Sequence, residues 1–233
     1  MAGPAQQQAF GSFGDIFRSG DLRKRLLFLV VALVIFRIGV HIPVPGINPT
    51  AYAHLFNQHS GGILGIFNLF SGGALRQMSI FALGVMPYIS ASIIIQMLTS
   101  VVPSLEAIKK EGQAGQRKIT RYTRYSTVGL ALFQAIGAAF ALQSQGVALM
   151  PGAGFVITAT VSLVTGTMFL MWLGEQVTER GLGNGISMII FAGIVAGLPS
   201  AIAGTLDLVR NGELSSILAI IIFAGVIGIT TFV

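Results

Sequence analysis

Of 233 residues, 53% are hydrophobic and 9% charged, and the mean hydropathy is +0.80. Soluble domains carry roughly a quarter charged residues, so these values exclude an ordinary soluble domain and make lipid the solvent. The absence of cysteine removes any disulfide framework, thiolate nucleophile or thiolate metal site, and the net charge of +6 is distributed as a topology signal and not as a DNA-binding face.

That distribution follows the apolar stretches. Runs of about twenty residues, enough to cross a hydrocarbon core, occupy 26–44, 79–102, 126–143, 155–174, 186–204 and, incompletely, 215–233. Arg18, Arg23, Lys24, Arg25, Lys109, Lys110, Arg117, Lys118, Arg121, Arg124 and Arg180 all fall in alternate gaps. By the positive-inside rule 1–25, 103–125 and 175–185 are cytoplasmic, with the amino terminus inside, and 45–78, 144–154 and 205–214 are external. Anionic lipid and cytosolic partners suit these basic gaps; DNA does not. The polar start, followed by an apolar run without a small-residue cleavage site, predicts a first helix that stays attached.

The first span is predicted to stop at HIPVPG (41–46), where two prolines remove backbone donors and a glycine permits a turn. His41, His54 and His59 lack a fourth ligand, which favours surface or interface histidines over a metal site. GGILGIFNLFSGG (61–73) is too short to cross a bilayer. It either enters and returns on the same side, with protein or water around it, or lies as an amphipathic helix in the interface.

In the second span Pro87 deprives the Leu83 carbonyl of its helical donor, and a local bend is predicted there. Val85, Ile89, Ser92, Gln96 and Thr99 recur at helical spacing, a stripe that begins apolar and ends polar and so belongs against protein or water. The 103–125 gap holds six basic residues against two acidic ones, with Tyr122 and Tyr125 as interfacial anchors. Thr158, Thr160, Ser162, Thr165, Gly166 and Thr167 make the fourth span a close-packing helix. Glu175 and Glu179, one turn apart, read as a solvated helix end and not as paired catalytic carboxylates. Gly181, Gly183 and Gly185 lack the features of a P-loop or dinucleotide fingerprint and read as a tight turn into the fifth span, where Ile186 and Ile190 share a face.

Two long stretches carry a resemblance. GVMPYISASIIIQ (84–96) is similar to the second-helix signature of the SecY family, the central subunits of bacterial protein-translocation channels. GTMFLMWLGEQVTERGLGNGIS (166–187) resembles the same family's fourth-to-fifth-helix signature. The likeness covers nearly the whole chain but only the first half of such a protein, to the start of a sixth helix. It implies an all-α polytopic membrane bundle, half of an inverted-repeat channel: a cytoplasmic segment at 1–25, a five-helix half at 26–204, and an external loop with an incomplete sixth helix at 205–233.

The function implied is passage of unfolded preproteins across the cytoplasmic (inner) membrane and release of apolar segments into it, without covalent chemistry or cofactors. By the same resemblance Val85, Ile89, Ile186 and Ile190 are pore-ring residues. Ile63, Leu64, Ile66, Phe67, Leu69 and Phe70 are plug residues within 61–73, and Ser92, Gln96 and Thr99 line a lateral gate. Lys109, Lys110, Arg117, Lys118, Arg121 and Arg124 face cytoplasmic partners. The implied partners are the SecE and SecG subunits, the SecA motor ATPase, and the ribosome with its nascent chain or signal peptide.

Competing classes find less support in the residues. A secondary transporter needs intramembrane ionisable groups, and the spans hold only Arg37. An intramembrane protease needs a serine with a base, or paired carboxylates, at membrane depth; every Asp and Glu lies outside the spans and no histidine accompanies the span serines. A structural membrane scaffold is the remaining alternative.

Overall fold

The computed structural model describes residues 20–59 and 63–210. The segment 1–19, Gly61 and Gly62 of the first glycine pair, and the incomplete span at 215–233 lie outside the described residues. Within them the elements are α1 (Gly20–Val40), α2 (Pro49–His59), α3 (Ile63–Phe70), α4 (Met86–Val101), α5 (Pro103–Lys110), α6 (Gln113–Ser144), α7 (Ala153–Arg180) and α8 (Gly185–Arg210). The described residues contain no β-strand, only isolated antiparallel bridges between Pro43 and Ser79 and between Ile47 and Ala148.

By length and composition α6 and α7 can each cross a membrane, and α4 meets α5 at a 98° bend. With 21 residues, α1 is about 31 Å long, and it carries Arg23, Lys24 and Arg25 at its start and Arg37 near its end. The basic residues thus gather at one end of the bundle, termed here the basic end.

Helices in lipid gain little from the hydrophobic effect and associate through close packing of small side chains. On α6, Gly115, Ile119, Thr123, Thr127, Ala131, Ala135 and Ala139 are buried at four-residue intervals, a single ridge of the kind that fits a neighbouring helix groove. It packs on α7 and α4. Toward the far end, Ala135, Ala139 and Leu142 join Phe155, Ala159 and Leu163 of α7 in a core that also takes Tyr52 and Phe56 of α2. A second core nearer the basic end gathers Leu29, Ala32, Phe36 and Val40 of α1 with Phe81, Val85, Leu170, Leu173, Val177 and Ile189.

The predicted second span needs correction. Residues 71–85 form turns, and the helix begins only at Met86, with Pro87 in its first turn. Proline does not kink this helix; it starts it, because the first-turn N–H groups have no intrahelical acceptor to lose. The turns are held from both sides. Ile80 N donates to Ile42 O at 3.0 Å, Val44 N to Met78 O at 2.9 Å and Ser79 N to Ala74 O at 2.9 Å. Phe36, Phe81 and Phe169 stack in a column, with centroids 6.2 and 5.8 Å apart. Gly39 of α1 and Gly166 of α7 permit this approach: a Cβ on the first would overlap the Phe81 ring, and one on the second the Ile80 carbonyl.

Other boundaries shift less. The 103–125 gap is largely helical, as α5 and the start of α6, and α8 runs on to Arg210 through part of the segment expected as external loop. The 45–78 segment contains α2, which the sequence reading had not assigned; Asn48 Oδ1 accepts from Thr50 N at 3.1 Å and Ala51 N at 3.3 Å, an N-cap arrangement.

Tyr52 of α2, outside the spanning helices, donates its hydroxyl to Leu75 O at 2.6 Å. Burial pushes its pKa from 10.0 up to about 12. A folded-state pKa above the unfolded value contributes stability that is complete below pH 10 and is lost as pH rises toward 12, a difference of about 3 kcal/mol. Absorbance titration of tyrosinate should therefore show a late-ionising component that is diminished by one tyrosine in Tyr52→Phe, and the variant's stability should fall less steeply above pH 10. A titration curve unaltered by the substitution would contradict this.

Candidate functional site: a cleft lined by polar and isoleucine side chains

A cleft of about 590 Å³ opens near the basic end between α4, α7 and α8, with α6 contributing to its wall. It is lined by Arg124, Glu175, Thr178 and Asn184, by Ser92 and Gln96 of α4, and by Ile89, Ile186 and Ile190. Val85 is 4% exposed, and Ile89, Ile186 and Ile190 all pack against the cluster that contains it. All four predicted ring residues thus belong to or pack against one larger apolar cluster, but Val85, the N-cap residue of α4, is buried and does not line the cleft.

The turn between α7 and α8 sets this register. Asn184 Oδ1 accepts from Ile186 N at 3.1 Å and Ser187 N at 3.3 Å, and Thr178 Oγ1 accepts from Gly185 N at 2.8 Å. The glycine-rich motif is thus a capped helix start. A Cβ on Gly174 would lie 2.6 Å from Ile186 Cγ1, so α7 supports that isoleucine directly.

The predicted gate residues separate. Ser92 and Gln96 line the cleft and bond to each other, Gln96 Nε2 donating to Ser92 Oγ at 3.1 Å. Thr99 is buried away from it and donates to Gln96 O at 2.6 Å. Their hydrogen bonds are made within α4.

Farther along α8 lies α3. It contacts α8, and a Cβ on Gly197 would stand 3.6 Å from Leu69 Cδ2. Phe67, Leu69 and Phe70 are each at least 40% exposed; the side chains of Ile63, Leu64 and Ile66 lie outside what is described. Along α8 the order from the basic end is Ile186, Ile190, Gly193, Gly197, so the short helix rests about one turn past the apolar group.

At the basic end, Lys110 pairs with Glu106 at 2.7 Å and Lys118 with Glu111 at 2.9 Å. Lys109, Arg117 and Arg121 are exposed and form no ion pair among the described residues. Arg124 differs from all of these. Its Nε donates to Glu175 Oε1 at 2.9 Å and its Nη2 lies 2.8 Å from Oε2, joining α6 to α7 in a two-pronged pair. The Glu175 side chain is only 17% exposed, which corrects the reading of that carboxylate as a solvated helix end; Glu179 is exposed as expected. Helical periodicity could not show this pair because its members are 51 residues apart. No group of three or more metal-ligating side chains occurs among the described residues.

Apolar helices packed around a cleft, with a short helix set against α8, make a multi-pass helical membrane channel fold. The fold is shared with two solved structures: Sec61 in the canine ribosome–channel complex from the endoplasmic reticulum, and a protein-conducting channel. Each gives a TM-score of 0.55 at 17% identity, covering 74% of this chain and 36% of the other. The SecY family model matches residues 79–233, and the chain belongs to the SecY family. It is 59% identical over 218 residues to protein translocase subunit SecY of Escherichia coli K12, covering 92% of this chain and 49% of that protein. To the Haemophilus influenzae protein of the same name it is 55% identical over 231 residues, 98% of this chain and 52% of the other. The chain spans about half the length of these curated relatives.

Bidentate guanidinium–carboxylate pairs are the stronger ion pairs, but half-exposed ones are screened. A double-mutant cycle with Arg124→Ala and Glu175→Gln should give a coupling of about 1 kcal/mol, read by thermal unfolding in detergent. Coupling indistinguishable from zero would mean that solvent competes the pair away.

Proposed function

We propose that this chain supplies the amino-terminal half of a protein-conducting channel in the bacterial cytoplasmic membrane, with its amino terminus and basic end in the cytoplasm. Unfolded preproteins enter the polar cleft, pass the apolar ring of Val85, Ile89, Ile186 and Ile190, and displace α3, the plug. Apolar segments leave sideways past Ser92 and Gln96. The observation that carries the reading is that those four β-branched residues share one apolar cluster, three of them lining the cleft, with the short α3 packed on α8 farther along.

The physics of such a pathway supports this order. A conduit for chains of any sequence cannot hold them by specific ligands without trapping them, whereas an apolar constriction dewets when empty and deforms around what passes. A second half, with two further ring residues, closes the pore. Five of the proposed partner-facing groups, Lys109, Lys110, Arg117, Lys118 and Arg121, project from α5 and the start of α6, where SecA or the ribosome docks and anionic lipid headgroups gather. Arg124 contributes chiefly to holding α6 against α7. SecE and SecG complete the assembly. No cofactor takes part and no covalent step occurs.

Replacing Val85, Ile89, Ile186 and Ile190 by serine in the complete channel should wet the constriction. Resting ion current in planar bilayers should rise, most for combined replacements, while a preprotein still crosses. Val128, exposed on α6, is the control whose serine variant should not leak. Equal, unchanged currents from ring and control variants, with the channel correctly assembled, would leave the four residues as helix packing.

A further inference from the structure

We propose that Arg37 is a positioning residue that latches the plug, and that it couples plug release to movement of α8; this rests on reading α3 as a plug. Arg37 is the charge that the spans leave unexplained. Its Nη1 donates to the Gly72 carbonyl at 2.9 Å, and among the described residues it forms no ion pair. A guanidinium inside a membrane span is costly unless it faces protein or water and finds an acceptor.

The acceptor sits at the downstream end of α3, which is locked as a helix terminus. Gly72 N donates to Leu69 O at 3.1 Å and Gly73 N to Asn68 O at 2.9 Å, with φ of +67° and +88° at the two glycines. This is the paired 5→2 and 6→1 arrangement of a Schellman motif. Ser71 Oγ adds a bond to Asn68 O at 3.0 Å, and Asn68 Oδ1 accepts from Arg76 N at 2.8 Å. The second glycine pair is therefore an anchor and not a loose hinge.

The anchor is gripped from both sides. A Cβ on Gly72 would stand 2.9 Å from Gly193 Cα of α8 and 3.2 Å from the Phe36 ring of α1; one on Gly193 would stand 3.1 Å from Gly72 Cα. Gly193 lies three residues beyond Ile190, so a shift of α8 that widens the ring also withdraws the backbone against which Gly72 is seated. On the α1 side Gly72 is then held by the Phe36 contact and by Arg37, whose hydrogen bond is the polar tie from α1 to the end of the plug.

The test uses the complete channel in its native complex, reading resting conductance and export of a preprotein with a defective signal sequence. Arg37→Ala should raise both, with the plug-displaced population up by about tenfold, the ratio corresponding to one charge-assisted hydrogen bond. Arg37→Lys, which keeps a charged donor, should retain most of the seal, and Gly193→Ala should leak as Arg37→Ala does. Deleting residues 63–70 should leak by itself, and adding Arg37→Ala to the deletion should change nothing further. If the deletion does not leak, the plug reading fails. If it leaks while Arg37→Ala matches the parent, or if Arg37→Ala leaks equally on the deletion background, the latch is overturned. Should Arg37→Ala not assemble, Arg37→Met, which keeps the apolar stem, is read against the same outcomes.

Discussion

Backbone polar groups beside lipid must be satisfied within the protein, and residues 71–85 are where this chain departs from the simplest solution, a continuous helix. Their turns survive because α1, α7 and α8 surround them. Ile42 O and Ala74 O accept from Ile80 N and Ser79 N, Met78 O accepts from Val44 N, Ser79 Oγ accepts from Phe81 N at 3.1 Å, and Arg37 serves the Gly72 carbonyl. Everything proposed for the site follows from this detour. It uses the length that would have extended α4 outward, puts Val85 at the helix start beside Ile186 and Ile190, and leaves α3 on a short tether next to the constriction.

The rest of the structure keeps that detour in place with contacts suited to lipid. The alanine and threonine ridge of α6 brings helix backbones close where hydrophobic transfer alone would not distinguish a neighbour from an acyl chain. Gly166 does the same for the Ile80 carbonyl. Charge is used sparingly: the two-pronged Arg124–Glu175 pair ties α6 to α7 at the mouth of the cleft, while other basic side chains remain exposed. Rigidity is thus concentrated around the cleft walls, and the short α3 is attached to them by a few named hydrogen bonds.

Much of this was legible in the sequence because membrane spans obey a strong length and polarity rule. The third, fourth and fifth spans lie within α6, α7 and α8; spacing showed that Val85 and Ile89, and Ile186 and Ile190, share faces, while their role as a ring was implied by the family resemblance alone. The second span misled for a physical reason. Residues 79–85 are as apolar as a spanning helix, but their burial is provided by Phe36, Phe169 and Gly166, which are remote in sequence. Pro87 was read as a bend inside the span, because a proline that kinks a helix and one that starts it look alike until the preceding backbone is known. Arg37 and Glu175 were noticed as charges, but their acceptor and partner lie 35 and 51 residues away. Thr99 shares a helical face with Ser92 and Gln96, and neighbouring helices nevertheless cover it.

The central claim is that a translocating chain runs through the cleft and past the ring between α4 and α8. The most direct measurement places a photo-crosslinking residue at Ile89, Ile190 or Val128 of the complete channel and arrests a preprotein midway. The account predicts strong crosslinks to the arrested chain from positions 89 and 190 and none from 128. Crosslinks of equal yield from 128, or none from 89 and 190 while the chain remains arrested, would contradict it.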